Sequence, residues 1–248
     1  MDPSIRKANA LSFGPAADLY DRIRPRYPVE AIRWILGDRP LTVVDLGAGT
    51  GILSRQLAGL GHRVVPVEPD PGMRARLGAA GGAPAAVEGS AEAVPLPDAS
   101  VDAVVAGQAY HWFDPDTAHP EIARVLRPGG VFGPLWNERD VTVPWVAALS
   151  QILDEHRDTS ATEQTVHPLG PRFTPVERAS FRHAVTHTPD TLVELVRSRS
   201  FYLTATPDGR AAVDAAVRDL CATHPGLAGR GEFALPYVTN AYRAYRTP

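Results

Sequence analysis

Cysteine is almost missing from this chain. Cys221 is the only one among 248 residues, so no intramolecular disulfide and no multi-thiolate metal site can form. Lysine is equally scarce: Lys7 stands alone, and arginine carries the rest of the positive charge. With 24 prolines and many alanines, that skew reads as a GC-rich genome rather than as a mechanism. No uncharged apolar run approaches the roughly 18 residues of a membrane span. The opening MDPSIRKANALSFG lacks the apolar core of a signal peptide, so the expected compartment is the cytoplasm. Positive charge is not in excess either, the net charge being −3, which provides no field for nucleic acid. Small-molecule partners are expected, without nucleic acid or membrane, and a homodimer is compatible with these features. His156, His167, His183, His187 and His224 show no metal-ligand spacing. No metal is expected.

What is present is ordinary globular material, 44% hydrophobic and 21% charged, long enough for one sizeable α/β domain. LTVVDLGAGTG is a short β-branched run ending in glycines, the pattern of a buried parallel strand feeding a tight turn. ILSRQLAGLG follows as a helix, HRVVPVEPD as a strand, and PGMRARLGAA as a helix opened by proline. APAAVEGSAE holds a third strand and SVDAVVAGQA a fourth; PDTAHPEIARVLRPGG is a helix closed by a Pro-Gly turn and leads into a fifth strand, GVFGPLWN. Alternation with short joints predicts a Rossmann-like, doubly wound α/β fold: a mostly parallel, seven-stranded sheet with helices on both faces. The expected organisation is a single domain, 1–248. Residues 1–39 form a helical cap segment, 40–137 the core, 138–176 an insertion over the active site, and 177–248 the last strands and helices.

The sequence D-L-G-A-G-T-G runs from Asp45 to Gly51. Glycines there let the backbone turn after the strand and approach a ligand, and the N–H groups of the next helix face that ligand. A dinucleotide loop spaces its glycines G-x-G-x-x-G; here the third arrives one residue early. Asp45 is awkward beside a pyrophosphate and useful beside the ammonium of an amino-acid moiety. The combination points to S-adenosylmethionine (SAM). A nicotinamide-dependent oxidoreductase on the same sheet is the alternative, and a SAM-binding protein that does not methylate is another.

In VVDLGAGTGILS, VVPVEPDPGM, VEGSAEAVPLPDASVDAVV and RVLRPGGVF, in that order, the chain resembles the class I SAM-dependent methyltransferases of the type 11 group. The resemblance implies that Asp45, Gly47, Ala48 and Gly49 touch the methionine part of SAM. It places Glu68 on the ribose hydroxyls, where one carboxylate can accept from two donors. Pro69 and Met73 are implied to flank the adenine, with Ser90, Ala91 and Glu92 near the same ring. QAYHWF and YDRIRPRYP are similar to the subgroup containing trans-aconitate methyltransferase-like proteins. That likeness implies that Tyr20 and Arg24 close onto the SAM carboxylate, with Gln108 reaching SAM from the strand end.

Methyl acceptors in open α/β sheets meet the cofactor at the carboxyl ends of the strands. His111 is the best-placed ionisable group there and the candidate catalytic residue, as base or as orienting group. Trp112, Trp136, Asn137 and Arg139 are, with His111, the candidate substrate-binding residues. The expected reaction is methyl transfer to oxygen, nitrogen or carbon of a small molecule, a carboxylic acid among the candidates.

Overall fold

The computed structural model describes residues 17–155 and 166–248. The first part of the cap segment and the middle of the 138–176 segment lie outside them. A short helix α1 (Ala17–Ile23) and a second, α2 (Val29–Leu36), precede strand β1 (Thr42–Leu46). Then follow α3 (Ile52–Gly59), β2 (Arg63–Val67), α4 (Pro71–Ala80), β3 (Val101–Gly107), α5 (Pro115–Val125) and β4 (Leu126–Arg139). The remainder is α6 (Pro144–Glu155), β5 (Glu177–His187), α7 (Pro189–Arg197), α8 (Ser200–Thr204), α9 (Pro207–Thr223) and β6 (Phe233–Tyr245). Several helix starts are written in the sequence: Asp70 accepts from the Met73 N–H ahead of Pro71, and Thr188 forms a capping box with Thr191.

The sheet is mixed, with the order β2-β1-β3-β4-β6-β5. The first four strands run parallel, and β6 lies antiparallel between β4 and β5. It has six strands among the described residues, not the seven expected. The third strand anticipated in APAAVEGSAE is a single parallel bridge, Val67 to Val87, held by Val87 N–H to Pro66 O and Glu68 N–H to Val87 O. Val87 is the one β-branched residue of that stretch; alanine, glycine and Pro84 have little tendency to extend a ladder.

The pleat sorts the core into two layers. Val44, Leu46, Val104 and Ala106 face α5 with Ile122, Phe132 and Trp136. Their neighbours Val43, Ala103 and Val105 face α2 and α3 with Ile32, Ile35, Leu53 and Leu57. Successive residues on a strand point to opposite faces, so Asp45 falls on the α3 side. A third apolar cluster joins α6, α7 and α9 to Leu235 and Tyr237 of β6, and takes in Ile23 of α1. Among the described residues no helix is long and apolar enough to cross a membrane.

This topology fixes where a ligand can sit. From β1 the chain moves outward to β2, then returns to β3 on the other side of β1. The connections leaving β1 and β3 therefore diverge, opening a crevice at the carboxyl ends of those strands.

Candidate active site

The crevice is a cleft lined by Tyr20, Arg24, Tyr27, Gly47–Thr50, Ile52, Gly107, Gln108 and Asn137. Its floor is the turn after β1. The N–H groups of Gly47 and Ala48 both donate to Val67 O, and the Gly49 N–H donates to Glu68 Oε2 at 2.8 Å. Gly47 and Gly49 have φ of +70° and +57°, in the left-handed region that glycine enters without penalty. A Cβ on Gly47 would lie 2.7 Å from the Ala109 Cβ, whereas one on Gly49 would meet nothing within 4 Å. Gly47 thus lets the two loops close together; Gly49 leaves space open at the cleft.

Asp45 lies beneath this turn, 1% exposed, with Oδ2 accepting from the Ser54 hydroxyl at 2.6 Å. Burial pushes its pKa up to about 7; the Ser54 hydrogen bond opposes that rise and the Glu68 charge adds to it. A carboxylate held so is desolvated and responsive to a cation. Glu68 is also buried, and its oxygens accept from the Gly49 and Asp70 N–H groups. Burial raises its pKa too, against the pull of those two hydrogen bonds. It therefore locks the glycine turn to the end of β2, with lone pairs left for further donors.

Gln108 follows β3 with φ of +56°, uncommon for a residue with a side chain and a form of strain concentrated at functional sites. Its amide Nε2 donates to Asn137 O at 3.0 Å, leaving Oε1 buried without a hydrogen-bond partner among the described residues. The Thr50 hydroxyl is in the same condition. Both line the cleft. Buried polar atoms normally find partners, so these two suit a ligand that brings donors. With the open space at Gly49 and the buried carboxylate of Asp45, this set of acceptor oxygens fits the ammonium of the amino-acid end of SAM.

The YDRIRPRYP segment forms one wall. The Arg24 guanidinium lies 4.7 Å from the Tyr20 ring centroid and donates to Ser198 O at 2.9 Å. Gln56 of α3 clamps Tyr27 by accepting its N–H and donating to its carbonyl, at 3.0 and 2.7 Å. Asn137 clamps the same segment from β4: its Nδ2 donates to Pro25 O and Arg26 O, while its Oδ1 accepts from the Thr239 hydroxyl and His183 Nε2. Asn137→Ala would leave several of these groups unpaired at a buried position, at a cost of roughly 2–4 kcal/mol. We expect its thermal midpoint to fall by roughly 5–15 °C, measured by differential scanning calorimetry; an unchanged midpoint would show that the clamp is not structural.

The other sequence candidates are distributed differently. Met73 and Ala91 are buried, and Pro69 is half-buried, with its carbonyl accepting from Arg74. Ser90 sits in a small turn with Ala93, and exposed Glu92 accepts the Asp114 N–H at the start of α5. His111 and Trp112 lie in a single 3-10 turn beyond Gln108, half-buried, with their rings 4.6 Å apart. Trp136 is wholly buried; its indole N–H donates to His111 Nδ1 at 3.3 Å. Arg139 ends β4, where its Nε donates to the Ser150 hydroxyl of α6 at 3.1 Å. None of these nine lines the cleft. Conversely Tyr27, Thr50 and Ile52 do; they lie within the YDRIRPRYP and VVDLGAGTGILS motifs, but nothing in those motifs singles them out, because their position depends on how α1 and α3 meet.

Residues 44–133 match the methyltransferase domain family. An uncharacterised methyltransferase of Mycobacterium tuberculosis is 46% identical over 239 residues, covering 96% of this chain and 97% of its own length. A malonyl-[acyl-carrier protein] O-methyltransferase of Pectobacterium atrosepticum is 34% identical over 131 residues, 51% of each chain. A solved protein of Anaeromyxobacter dehalogenans, put forward as a type II methyltransferase, superposes with a TM-score of 0.62 at 25% identity, covering 91% of this chain and 99% of its own. The chain belongs to the class I SAM-dependent methyltransferases. It is therefore an enzyme, and family and fold imply SAM as its cofactor; the oxidoreductase alternative is not favoured.

Proposed function

We propose that this enzyme transfers a methyl group from SAM to a carboxylate oxygen of a small organic acid, forming a methyl ester. In this reading Asp45, Gly47, Ala48, Gly49 and Gln108 hold the methionine part of SAM, with Tyr20 and Arg24 at its carboxylate. Glu68, Pro69, Met73, Ser90, Ala91 and Glu92 support the ribose and adenine end. SAM supplies an electrophilic methyl on a sulfonium. The protein has to orient the acceptor oxygen in line with it and exclude water, and orientation can contribute about 7–11 kcal/mol.

The observation that carries the acceptor class is the Trp136–His111 hydrogen bond. An indole N–H only donates, so His111 Nδ1 accepts, and the neutral ring carries its proton on Nε2. Such a ring has no nitrogen lone pair left with which to take a proton from an acceptor. A carboxylic acid, with a pKa near 4, is already ionised at neutral pH and needs no base. Among the described residues lining the cleft none is an imidazole, and burial holds the Tyr27 hydroxyl well above its ordinary pKa. The Pectobacterium relative is itself named a malonyl-[acyl-carrier protein] O-methyltransferase.

His111→Gln retains an N–H donor. With methyl-labelled SAM saturating and small carboxylic acids as acceptors, we expect alkali-labile product and a loss in kcat/KM of roughly tenfold or less. The shape of the pH–rate profile should not change. A loss on the order of 10³-fold, with disappearance of an acidic limb near the ordinary histidine pKa, would identify a general base instead.

A further inference from the structure

Beside the cofactor cleft lies a second cavity, of about 500 Å³, that methyl transfer leaves unused. Its size falls within the roughly 300–1,000 Å³ of small-molecule sites. It opens between α1, α3 and α4, and Arg24 and Ile52 line both spaces. Their chemistry differs. The cleft presents acceptor oxygens, whereas the cavity is walled by Arg26, Arg55 and Arg76 as well as Arg24. Among the described residues Asp21 is the one acid lining it. Its apolar residues are only Ile52, Ala79 and Ala80, which offer little to an uncharged ligand.

Asp21 carries too little charge for that wall. Its side chain is 11% exposed, and its two oxygens are divided between Arg55 Nη2 and Arg76 Nη2, the latter at 3.0 Å. One carboxylate thus sets two guanidinium groups side by side and neutralises one of them. Arg76 Nε also pairs with Asp18 at 2.6 Å, but that carboxylate is 91% exposed and its field is screened by solvent. Arg55 Nη1 donates to Thr50 O at 2.8 Å, which fixes the group from the cofactor turn. A guanidinium carries five N–H donors, so both groups keep donors beyond these bonds. Arg26, exposed on the segment after α1, makes no ion pair or side-chain hydrogen bond among the described residues. With Arg24 left to the cofactor, three cations still face one acid across the cavity. Groups already held in place lose little further entropy when an anion binds, and their planar forks match phosphate oxygens in two-point fashion. A single carboxylate is satisfied by one fork. A phosphoryl group, and a diphosphate above all, offers oxygens to several.

We infer that this cavity is a binding site for a phosphate-bearing anion, with Arg26, Arg55 and Arg76 as its partners and Asp21 holding two of them in position. The site stands apart from the methyl-transfer reading: it uses none of the residues assigned to the acceptor and leaves Arg24 to the SAM carboxylate.

The test uses the full chain saturated with S-adenosylhomocysteine, so that the cleft is filled and Arg24 engaged. Inorganic phosphate, inorganic diphosphate and ADP are titrated calorimetrically at one fixed ionic strength. Diphosphate should bind at one site per chain, more tightly than phosphate. Arg26→Gln should weaken it by roughly tenfold or more, and Arg76→Gln should do the same. Ala79→Trp removes no charge but fills the cavity, and should abolish binding. Arg230→Gln, at an exposed position between α9 and β6, removes the same charge elsewhere and should change nothing. Arg26 and Ala79 are both exposed, so Arg26→Gln and Ala79→Trp should keep the wild-type thermal midpoint and S-adenosylhomocysteine affinity, which separates lost anion binding from lost folding. ADP binding more tightly than diphosphate would assign the phosphates to an organic ester; the reverse order would assign free diphosphate. Four results would each overturn the site: no binding to the loaded wild type, binding only in the absence of S-adenosylhomocysteine, unchanged affinity in Ala79→Trp, or an equal loss in Arg230→Gln. None of these readouts involves methyl transfer, so failure here leaves the proposed reaction standing.

Discussion

Asp45→Asn is expected to uncouple cofactor binding from pH. In the ligand-free protein the Asp45 carboxyl is pushed up to about 7, chiefly by burial, so at pH 6 it is mostly protonated. The proposed contact with the ammonium of the methionine moiety requires the ionised form. Affinity for SAM or S-adenosylhomocysteine should therefore fall by about tenfold for each pH unit below 7 and level off above it. Asparagine can still accept from Ser54, but it cannot offer a charge. At pH 8 the variant should bind roughly 10–100-fold more weakly, the worth of a charge-assisted hydrogen bond, and its affinity should be flat between pH 5.5 and 8.

Stability moves the other way, which makes the pair of measurements diagnostic. A carboxyl whose folded pKa lies above its unfolded value binds its proton more tightly in the native state. The native protein is then favoured at low pH and loses up to about 1.4 kcal/mol per unit as pH rises between the two values. Asp45→Asn removes that loss. It should raise the thermal midpoint at pH 8 and change it little at pH 4. Wild-type calorimetric titrations that show no pH dependence below 7 would remove Asp45 from the cofactor contact. Equal midpoints for the variant and the wild type at pH 8 would show that the buried carboxyl carries no such penalty.

The second large effect concerns Gly47. Alanine there must adopt φ near +70° and place its Cβ 2.7 Å from the Ala109 Cβ. Left-handed backbone costs a non-glycine residue roughly 1–2 kcal/mol, and overpacking adds about 1–3 kcal/mol. Neither atom is the end of a flexible chain, so relief requires the turns after β1 and β3 to move apart. Those turns carry the glycine loop and Gln108, and cofactor binding should be lost with the packing. We expect a fall in thermal midpoint on the order of 5–15 °C and no measurable S-adenosylhomocysteine binding. Gly49→Ala is the control. Its added methyl meets nothing within 4 Å, so only the backbone penalty applies and the protein should fold with a smaller loss. Its methyl would occupy open space at the cleft, and cofactor affinity should drop without a matching drop in stability. Similar stability and binding for Gly47→Ala and wild type would contradict the steric argument.

Much of the fold and of the cofactor cleft was legible in local sequence. Runs such as TVVDL and VDAVVAG declare buried strands because nearly every residue is apolar. Glycines two apart, directly after a strand, declare a turn that must use left-handed backbone. Asp70 and Thr188 declare helix starts because their side chains satisfy nearby N–H groups. The third expected strand shrinks to a single bridge because the Val87 region has the right position in the alternation but lacks the residues that extend a ladder. Trp136 could be placed at the end of a strand near the site. That it is wholly buried and faces His111 depended on which face of β4 packs under α5.

By itself, then, the sequence determined the elements, the SAM-type glycine turn and the acid beneath it, since each depends on residues within a few positions of one another. The clamp at Asn137 had no local sign at all. Its members come from the segment after α1, the end of β4, β5 and β6, up to 214 positions apart between Pro25 and Thr239. Only the antiparallel insertion of β6 between β4 and β5 brings the Thr239 hydroxyl and the His183 ring to one amide oxygen. A side-chain amide satisfied from separate segments is a property of the packed interior, and no spacing along the chain encodes it.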